Sequence, residues 1–587
     1  MNPLAHTPPA PGAPGAPAMT PPAAYRRTGM RWSRDEIIAR GVLLAVMAML
    51  FVFLVAPLVT ILAHAVQDKD GRFVGLAHFI TYFQTPSLLR AVWNSVWVAA
   101  AVVAISVPAA FVFAYALTRS CMPAGLKAVF RLIALIPLLA PSLLSAISFV
   151  QWFGNQGALK FLLGGVSIYG APGIILSEVY NTFPHALMIL VTAMSLTDGR
   201  LYEAAKALRT RPMRQFMTIT LPSCKYGLIS ASTVVFTYVV SDFGAPKVIG
   251  GNFNVLSVDV FKQVVGQHNF SIGAVVGMLL LVPSIVSFVI DYVVRRKLKA
   301  QLTARSVPYS PKPRKVADTL LLMFCATVCA LLLAIIGMAV YTSLITLWPY
   351  DLSFTLKHYR FALLESDMAA AYTNSLAVAA VTAVAGSFIV FVGAYLIEKT
   401  RNLGMMRPAM HMMAVLSMAV PGLVLGLGYV MFFNHPANPL GFLYQTMTIL
   451  VVSMIVHYYT SSHLTAVTAL KQIDNEFEAV SASLKVPFIK TFFRVTVPVC
   501  LPAILDIGRY FFVVSMASLS CAIFLYTPDT ILASVAIMHM DDAGDIGPAA
   551  ALASLIVVTS VVVCIVYSLL TRVLLTRTQA WRLLGRT

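Results

Sequence analysis

The sequence predicts an all-α polytopic membrane protein made of two tandem parallel six-helix repeats, and three observations carry that expectation. Hydrophobic residues fill 59% of its 587 positions and charged residues only 11%, too few polar side chains to cover a soluble protein of this length. Apolar runs of about 20 residues, enough to cross a bilayer as a helix, recur along the whole chain. Short motifs of the first half return in the second at one offset.

Twelve runs are expected to span, at 41–64, 92–117, 130–151, 172–195, 225–246, 271–294, 317–344, 371–397, 409–433, 445–468, 499–523 and 546–571. Residues 1–36, with the stretch TPPAPGAPGAPAMTPPAAYRR, are Pro/Ala-rich without hydrophobic periodicity and read as a disordered cytoplasmic tail. The first apolar run starts too late and is too long for a cleavable leader, despite Ala63-His64-Ala65, and is expected to stay as an anchor. The first half then covers 37–294 with a core at 89–294, and 295–316 is a basic cytoplasmic linker. The second half covers 317–571 with a core at 369–571, followed by a cytoplasmic tail at 572–587.

The formal net charge is +19, and its placement sets the orientation. An even number of helices returns the C-terminus to the side of the N-terminus. With the N-terminus inside, all but nine of the 42 Lys and Arg fall on the cytoplasmic side. The exceptions are Lys69, Arg72, Arg90, Lys160, Lys247, Lys262, Lys357, Arg360 and Arg509. That asymmetry follows the positive-inside rule, so both termini and the linker are expected in the cytoplasm. Charge spread over many short loops argues for membrane lipid and against nucleic acid as a partner. The seven cysteines show no metal-ligand spacing, and Cys325 and Cys329 on one helix face read as packing.

The duplication is read from four matches. His78-Phe79 recurs as His358-Tyr359, Asn94-Ser95 as Asn374-Ser375, FVFAY at 111–115 as FVGAY at 391–395, and Pro141 as Pro421, always 280 residues apart. Six helices per half make the repeat parallel, which places a substrate path at the interface between halves.

Between the fourth and fifth runs of each half lies a short amphipathic helix. Leu201, Ala204, Ala205 and Leu208 stand at i, i+3, i+4 and i+7, with Arg209, Arg211 and Arg214 beyond. Pro212 is expected to end this helix and Pro222 to open the next. Phe477, Val480, Ser481 and Leu484 repeat the spacing, closed by Pro498, at an offset of 276 that Cys224 and Cys500 share. One such helix is equally well read as lying on lipid headgroups. Two in matching positions favour docking into a groove on a partner.

The first loop resembles the EAA loop of binding-protein-dependent ABC importer permeases. Glu203, Ala204 and Ala205 fill its Glu-Ala-Ala, and Ile219, Leu221 and Pro222 its Ile-x-Leu-Pro. Arg209 and Lys485 stand where that family has Gly, and the second copy reads Ala479, Val480 and Ser481, with Glu478 one place early. The resemblance implies the type I ABC importer transmembrane fold in a bacterial inner membrane. It also implies a cytoplasmic ABC ATPase dimer, engaged by these loops, and a periplasmic solute-binding protein. ATP would then bind at the partner subunits, since this chain has no Gly-x4-Gly-Lys-Ser/Thr loop. No cofactor, metal or catalytic constellation is expected in a translocation subunit of this kind. The fused arrangement is similar to ferric-iron permeases. GGNFNVLSVDVFKQVVGQ and FLYTPDTILASVAIMHMDDAGDIG more closely resemble fused permeases assigned to 2-aminoethylphosphonate. Ferric iron, polyamine and thiamine stay open as substrates. An ion-coupled secondary transporter shares the helix count but does not account for the paired loops.

Ionisable groups inside apolar runs are costly, which singles out Glu178, His185, Asp242, His457, His463, Asp506 and Arg509. Asp506 and Arg509, at i and i+3, read as a mutual ion pair. Tyr180 and His185 recur as Tyr458 and His463 and read as shared packing. An anionic phosphonate crossing where basic groups are few needs hydroxyl and backbone donors. The path is therefore expected around Ser230, Ser232, Asp242, Arg509, Ser515 and Ser518.

Overall fold

The computed structural model describes residues 34–68, 71–301, 307, 309–364, 366–400, 404–474 and 476–578. Each of the twelve apolar runs lies mainly on helix. Among the described residues, eight helices are long and apolar enough to cross a membrane, or ten when two bent pairs each count as one span. Those pairs are the third runs of the two halves: Ala124–Leu139 with Ser142–Phe153 bends by 102°, and Met406–Ala419 with Gly422–Phe433 by 109°. The duplicated prolines explain the bends. Pro141 and Pro421 force Ala140 and Val420 out of helical geometry, with ψ of 143° and 112°.

Other boundaries differ from the sequence expectation. The run at 445–468 is split at Tyr458 into Met447–His457 and Tyr459–Lys471. The fifth helices stop at Ser241 and Ala517, because Asp242 and Ser518 turn to extended geometry, so the runs at 225–246 and 499–523 overshoot. Helix also invades the connectors: Arg34 already lies in one, Phe270–Gln301 enters the linker, and Ile546–Thr578 enters the C-terminal tail. Lys and Arg are good helix formers, so a charge cluster marks where a helix leaves the apolar layer and not where it ends. Residues 1–33, 302–306, 308 and 579–587 lie outside the described residues.

The halves interlock reciprocally. Ala56–Val66 of the first packs on Gly422–Phe433, and Lys315–Ser343 of the second packs on Ser142–Phe153. Gly428 permits one crossing, since a Cβ there would stand 3.0 Å from Pro57 Cβ. Phe53 stacks on Phe433 at 5.4 Å, and the Trp152 indole donates to the Ala334 carbonyl at 3.1 Å.

The repeated motifs make the same joints twice. Ser95 Oγ accepts the Leu256 N–H and Ser375 Oγ the Ala533 N–H, both at 2.8 Å. Asn94 donates to the Asn254 carbonyl at 2.9 Å and Asn374 to that of Asp529 at 3.0 Å. His78 Nε2 lies 3.1 Å from the Gln67 carbonyl, and His358 Nε2 2.9 Å from that of Ile345. An antiparallel hairpin, Ile345–Leu347 with Asp351–Phe354, occurs in the second half.

Candidate functional site

The first loop helix runs Gly199–Ala207, opened by Asp198, whose carboxylate accepts the Arg200 N–H at 3.0 Å. It closes with Thr210 N–H on the Ala205 carbonyl at 3.0 Å and Arg209 N–H on that of Lys206 at 2.9 Å. That pair of bonds needs a left-handed residue between them, and Arg209 supplies it with φ 52°. In the second loop, Lys485 has φ 53°, and the Val486 N–H reaches the Ser481 carbonyl at 2.9 Å. The two positions that lack the expected glycine keep the backbone conformation glycine favours.

The apolar face is not uniform. Leu201 and Leu208 are 50% and 77% exposed and Ala204 is exposed, while Ala205 turns inward. Buried beside it, Tyr202 places its hydroxyl 2.8 Å from Thr220 Oγ1. Glu203 and Arg209 are exposed. In the second loop, Phe477 and Val480 on the helix Glu476–Ser483 are exposed, as are Leu484 and Lys485 just beyond it. Ser481 is half-buried and hydrogen-bonds the Thr491 hydroxyl. Glu478 lies 3.8 Å from Lys399 Nζ, which also donates to the Ile473 carbonyl at 2.7 Å. Its counterpart Arg119 donates to the Met194 carbonyl at 2.9 Å and lies over the rings of Tyr202 and Tyr309. The linker braces the first loop through Gly199 N–H on the Val307 carbonyl at 2.8 Å. Asp35 braces the second, accepting the Phe488 N–H at 2.9 Å.

Pro212 does not end the loop helix, which Arg209 has already closed; it starts the next one. Pro222 stands in the first turn of Leu221–Ser241 as expected, and Pro498 holds the same place in Val497–Ala517. Each follows a π-helical turn, Phe216–Thr220 and Phe492–Thr496, inside a helix already under way. A widened turn accommodates a proline that lacks an N–H and crowds the carbonyl one turn back. Phe216 is gripped by Phe111 and Tyr115 at ring separations of 6.0 and 6.1 Å, Phe492 by Phe391 and Tyr395 at 5.8 and 4.8 Å. The duplicated FVFAY and FVGAY segments thus fasten each π-turn.

Of the expected path residues, Ser230 is tied to the Asp291 carboxylate, and Arg509 lies 3.1 Å from Asp506 as an ion pair. Ser232 is half-buried, and Ser515 is buried with no hydrogen-bond partner for its hydroxyl among the described residues. Asp242 and Ser518 hold equivalent positions, 276 residues apart, where the fifth helices end. Asp242 accepts the Ala245 N–H at 3.1 Å and sits beside the Glu178 carboxyl and the Ser142 hydroxyl. Tyr458 hydrogen-bonds Ser518 with its hydroxyl, and the Tyr238 ring lies 5.0 Å from that of His185. Glu178 and Asp242 of the first half thus bond each other, as Tyr458 and Ser518 of the second half do. Sequence reasoning took Tyr458 for packing and passed over Tyr238. A usable signal lay in the duplication, since the position matching Glu178 in the register of Tyr180 and Tyr458 is Val456.

The family described as "Binding-protein-dependent transport system inner membrane component" matches residues 122–300 and 392–578. The chain belongs to this family. It is a permease subunit of a binding-protein-dependent ABC importer, a multi-pass inner-membrane component. The ferric transport system permease protein FbpB of Actinobacillus pleuropneumoniae is 23% identical over 541 residues, which is 90% of this chain and 77% of that one. The sulfate transport system permease protein CysW of Escherichia coli (strain K12) is 23% identical over 262 residues, 44% of this chain and 86% of its own. The spermidine/putrescine transport system permease protein PotB of Haemophilus influenzae is 23% identical over 247 residues, 40% of this chain and 85% of its own. The family match thus covers a segment in each half, and the ferric relative aligns along both.

Proposed function

We propose that this permease imports 2-aminoethylphosphonate, delivered by a periplasmic binding protein and driven by two cytoplasmic ATPase subunits docked on the loop helices. The observation that carries the coupling is the pair Leu208 and Leu484, 77% and 70% exposed at matching ends of the two helices. The backbone there is anchored by hydrogen bonds while the apolar side chains stay uncovered, the pattern of a surface built for a partner's groove. The Lys and Arg distribution supports placing both loops and both termini in the cytoplasm.

Support for the substrate comes from the likeness of residues 250–267 and 524–547 to permeases assigned to 2-aminoethylphosphonate. Those segments follow closely on Asp242 and Ser518 in the chain. Ferric iron is the second reading, favoured by the ferric relative that aligns along both halves. Growth on 2-aminoethylphosphonate as sole phosphorus source tests the choice, and deletion of the gene is expected to abolish it. Unimpaired growth of the deletion strain, with loss of ferric-iron uptake, moves the assignment to iron.

A further inference from the structure

A cavity opens between the linker and the first loop helix, about 480 Å³ in volume with the solvent at its mouth included. Three cations line it, Arg119, Lys312 and Arg314, against one carboxylate, Asp318, a surplus of two positive charges. Asp318 is already engaged, since its two oxygens accept the Cys121 N–H at 3.3 Å and the Arg314 N–H at 2.9 Å. Lys312 and Arg314 are exposed, while Arg119 is only 8% exposed. Its guanidinium donates to the Met194 carbonyl at 2.9 Å and lies 4.4 and 4.9 Å from the ring centres of Tyr309 and Tyr202. The Arg119 Nε has no acceptor among the described residues. Aromatic faces offset part of the cost of burying a charge, but they bring no opposite charge.

The duplication shows what is missing. The equivalent cation of the second half, Lys399, is also 8% exposed, and the Glu478 carboxylate of its own loop helix lies 3.8 Å away. In the register of the two loops, 276 residues earlier, the place of Glu478 is held by Tyr202. Among the described residues Arg119 forms no ion pair. The first half therefore keeps the buried cation, has a ring where the second half has its acid, and gains Lys312 and Arg314 from the linker. A guanidinium joined by two further cations suits a compact anion with several acceptor oxygens, and a phosphate group has that form.

We propose that this cavity binds a phosphate group, carried by free phosphate or by a lipid headgroup of the cytoplasmic leaflet, and that the bound anion locks the linker onto the first loop helix. The linker already reaches that helix at two points. The Val307 carbonyl accepts the Gly199 N–H at 2.8 Å, and the Tyr309 ring lies 4.6 Å from that of Tyr202. An anion shared by Arg119 with Lys312 and Arg314 adds a third tie. Phosphate then acts on transport from the cytoplasmic side, through the loop that engages the ATPase. That consequence rests on the docking reading, and the binding itself does not.

Cys121 reports the position of the linker, because it is exposed and its Sγ lies 3.3 Å from the Pro311 carbonyl. The test is the rate of maleimide labelling at Cys121, read by mass spectrometry of that peptide, on the permease with its ATPase subunits in nanodiscs. One arm adds potassium phosphate to discs of neutral phosphatidylcholine, against potassium chloride of equal ionic strength. The other uses discs containing phosphatidic acid, with no free phosphate. Labelling should slow at least about threefold in one arm or both, and the arm that responds names the source. The double variant Lys312→Gln/Arg314→Gln should need at least about tenfold more phosphate or phosphatidic acid for the same effect. Tyr202→Glu, which copies the acid of the second half, should abolish the effect. The double variant alters only exposed side chains, so it stays decisive if Tyr202→Glu does not fold. No slowing in either arm, equal slowing by potassium chloride, or an unchanged response in the double variant would each overturn the site. Co-purification of the ATPase subunits with Leu208→Glu decides the docking reading separately.

Discussion

Arg209 and Lys485, 276 residues apart, share one left-handed backbone conformation, with φ of 52° and 53° at the ends of the two loop helices. Both long side chains thus occupy a conformation in which a Cβ is penalised and glycine is not. A β-branched residue suffers most there. Arg209→Val should therefore be less stable than Arg209→Gly by about 1–2 kcal/mol, and the same order should hold at Lys485. Thermal unfolding of the detergent-solubilised protein measures it. Equal stability of the Val and Gly variants would contradict the conformation.

The inward turn of Ala205 separates folding from docking. Ala205→Glu places a charge against buried Tyr202 and should lower the yield of folded permease. Leu208→Glu changes a side chain that is 77% exposed, so yield should hold while ATPase co-purification and transport fall at least about tenfold. Co-purification unchanged in Leu208→Glu would count against docking at that residue.

The aromatic grips on the π-turns should matter unequally. Phe492 is 7% exposed, so Phe492→Ala is expected to cost about 3–4 kcal/mol. Phe216 is half-buried and should cost less on truncation. Unfolding temperatures of the two variants give the order, and the reverse order would contradict the packing.

Asp541, on the short helix Ala533–Ala543, supplies a pH dependence. Burial, with Asp542 beside it, pushes its carboxyl up from 3.8 to about 6, against the pull of Lys247, which lies 2.9 Å from Asp542. Across that window the folded chain holds more protons than the unfolded one, so this group's contribution to stability falls as pH rises. Asp541→Asn should therefore be more stable than the unaltered protein near pH 7, and the gain should shrink toward about pH 4. Unfolding temperatures across that range measure it, and a gain independent of pH would refute the assignment.

What the sequence disclosed and what it hid follow from kinds of signal. Hydropathy finds apolar length, so all twelve runs fall mainly on helix and ten of them qualify as spans when the two bent pairs are counted, but it carries no angle and missed the turns at Pro141 and Pro421. Those prolines were visible as a repeat before their effect was. Hydropathy also cannot tell where a charged helix stops, which is why Phe270–Gln301 runs into the linker. The loop helices were legible because period and repetition agree there. Which residue of the face turns inward depends on tertiary neighbours such as Tyr202 and Thr220, 18 residues apart. Glu178 and Asp242 were legible as ionisable groups inside apolar runs, and the mismatch of Glu178 with Val456 marks them as peculiar to the first half. Their bond to each other was not legible, because it joins two different helices.

The central claim is that ATP-driven work reaches this chain through its two loop helices. Disulfide cross-linking tests it most directly, with Leu208→Cys and Leu484→Cys introduced singly after the seven native cysteines are replaced. Each new cysteine should cross-link to a partner cysteine in the groove of the ATPase subunit, stop ATP-dependent uptake into proteoliposomes, and release it again on reduction. Uptake that proceeds with neither position forming a cross-link would contradict the account.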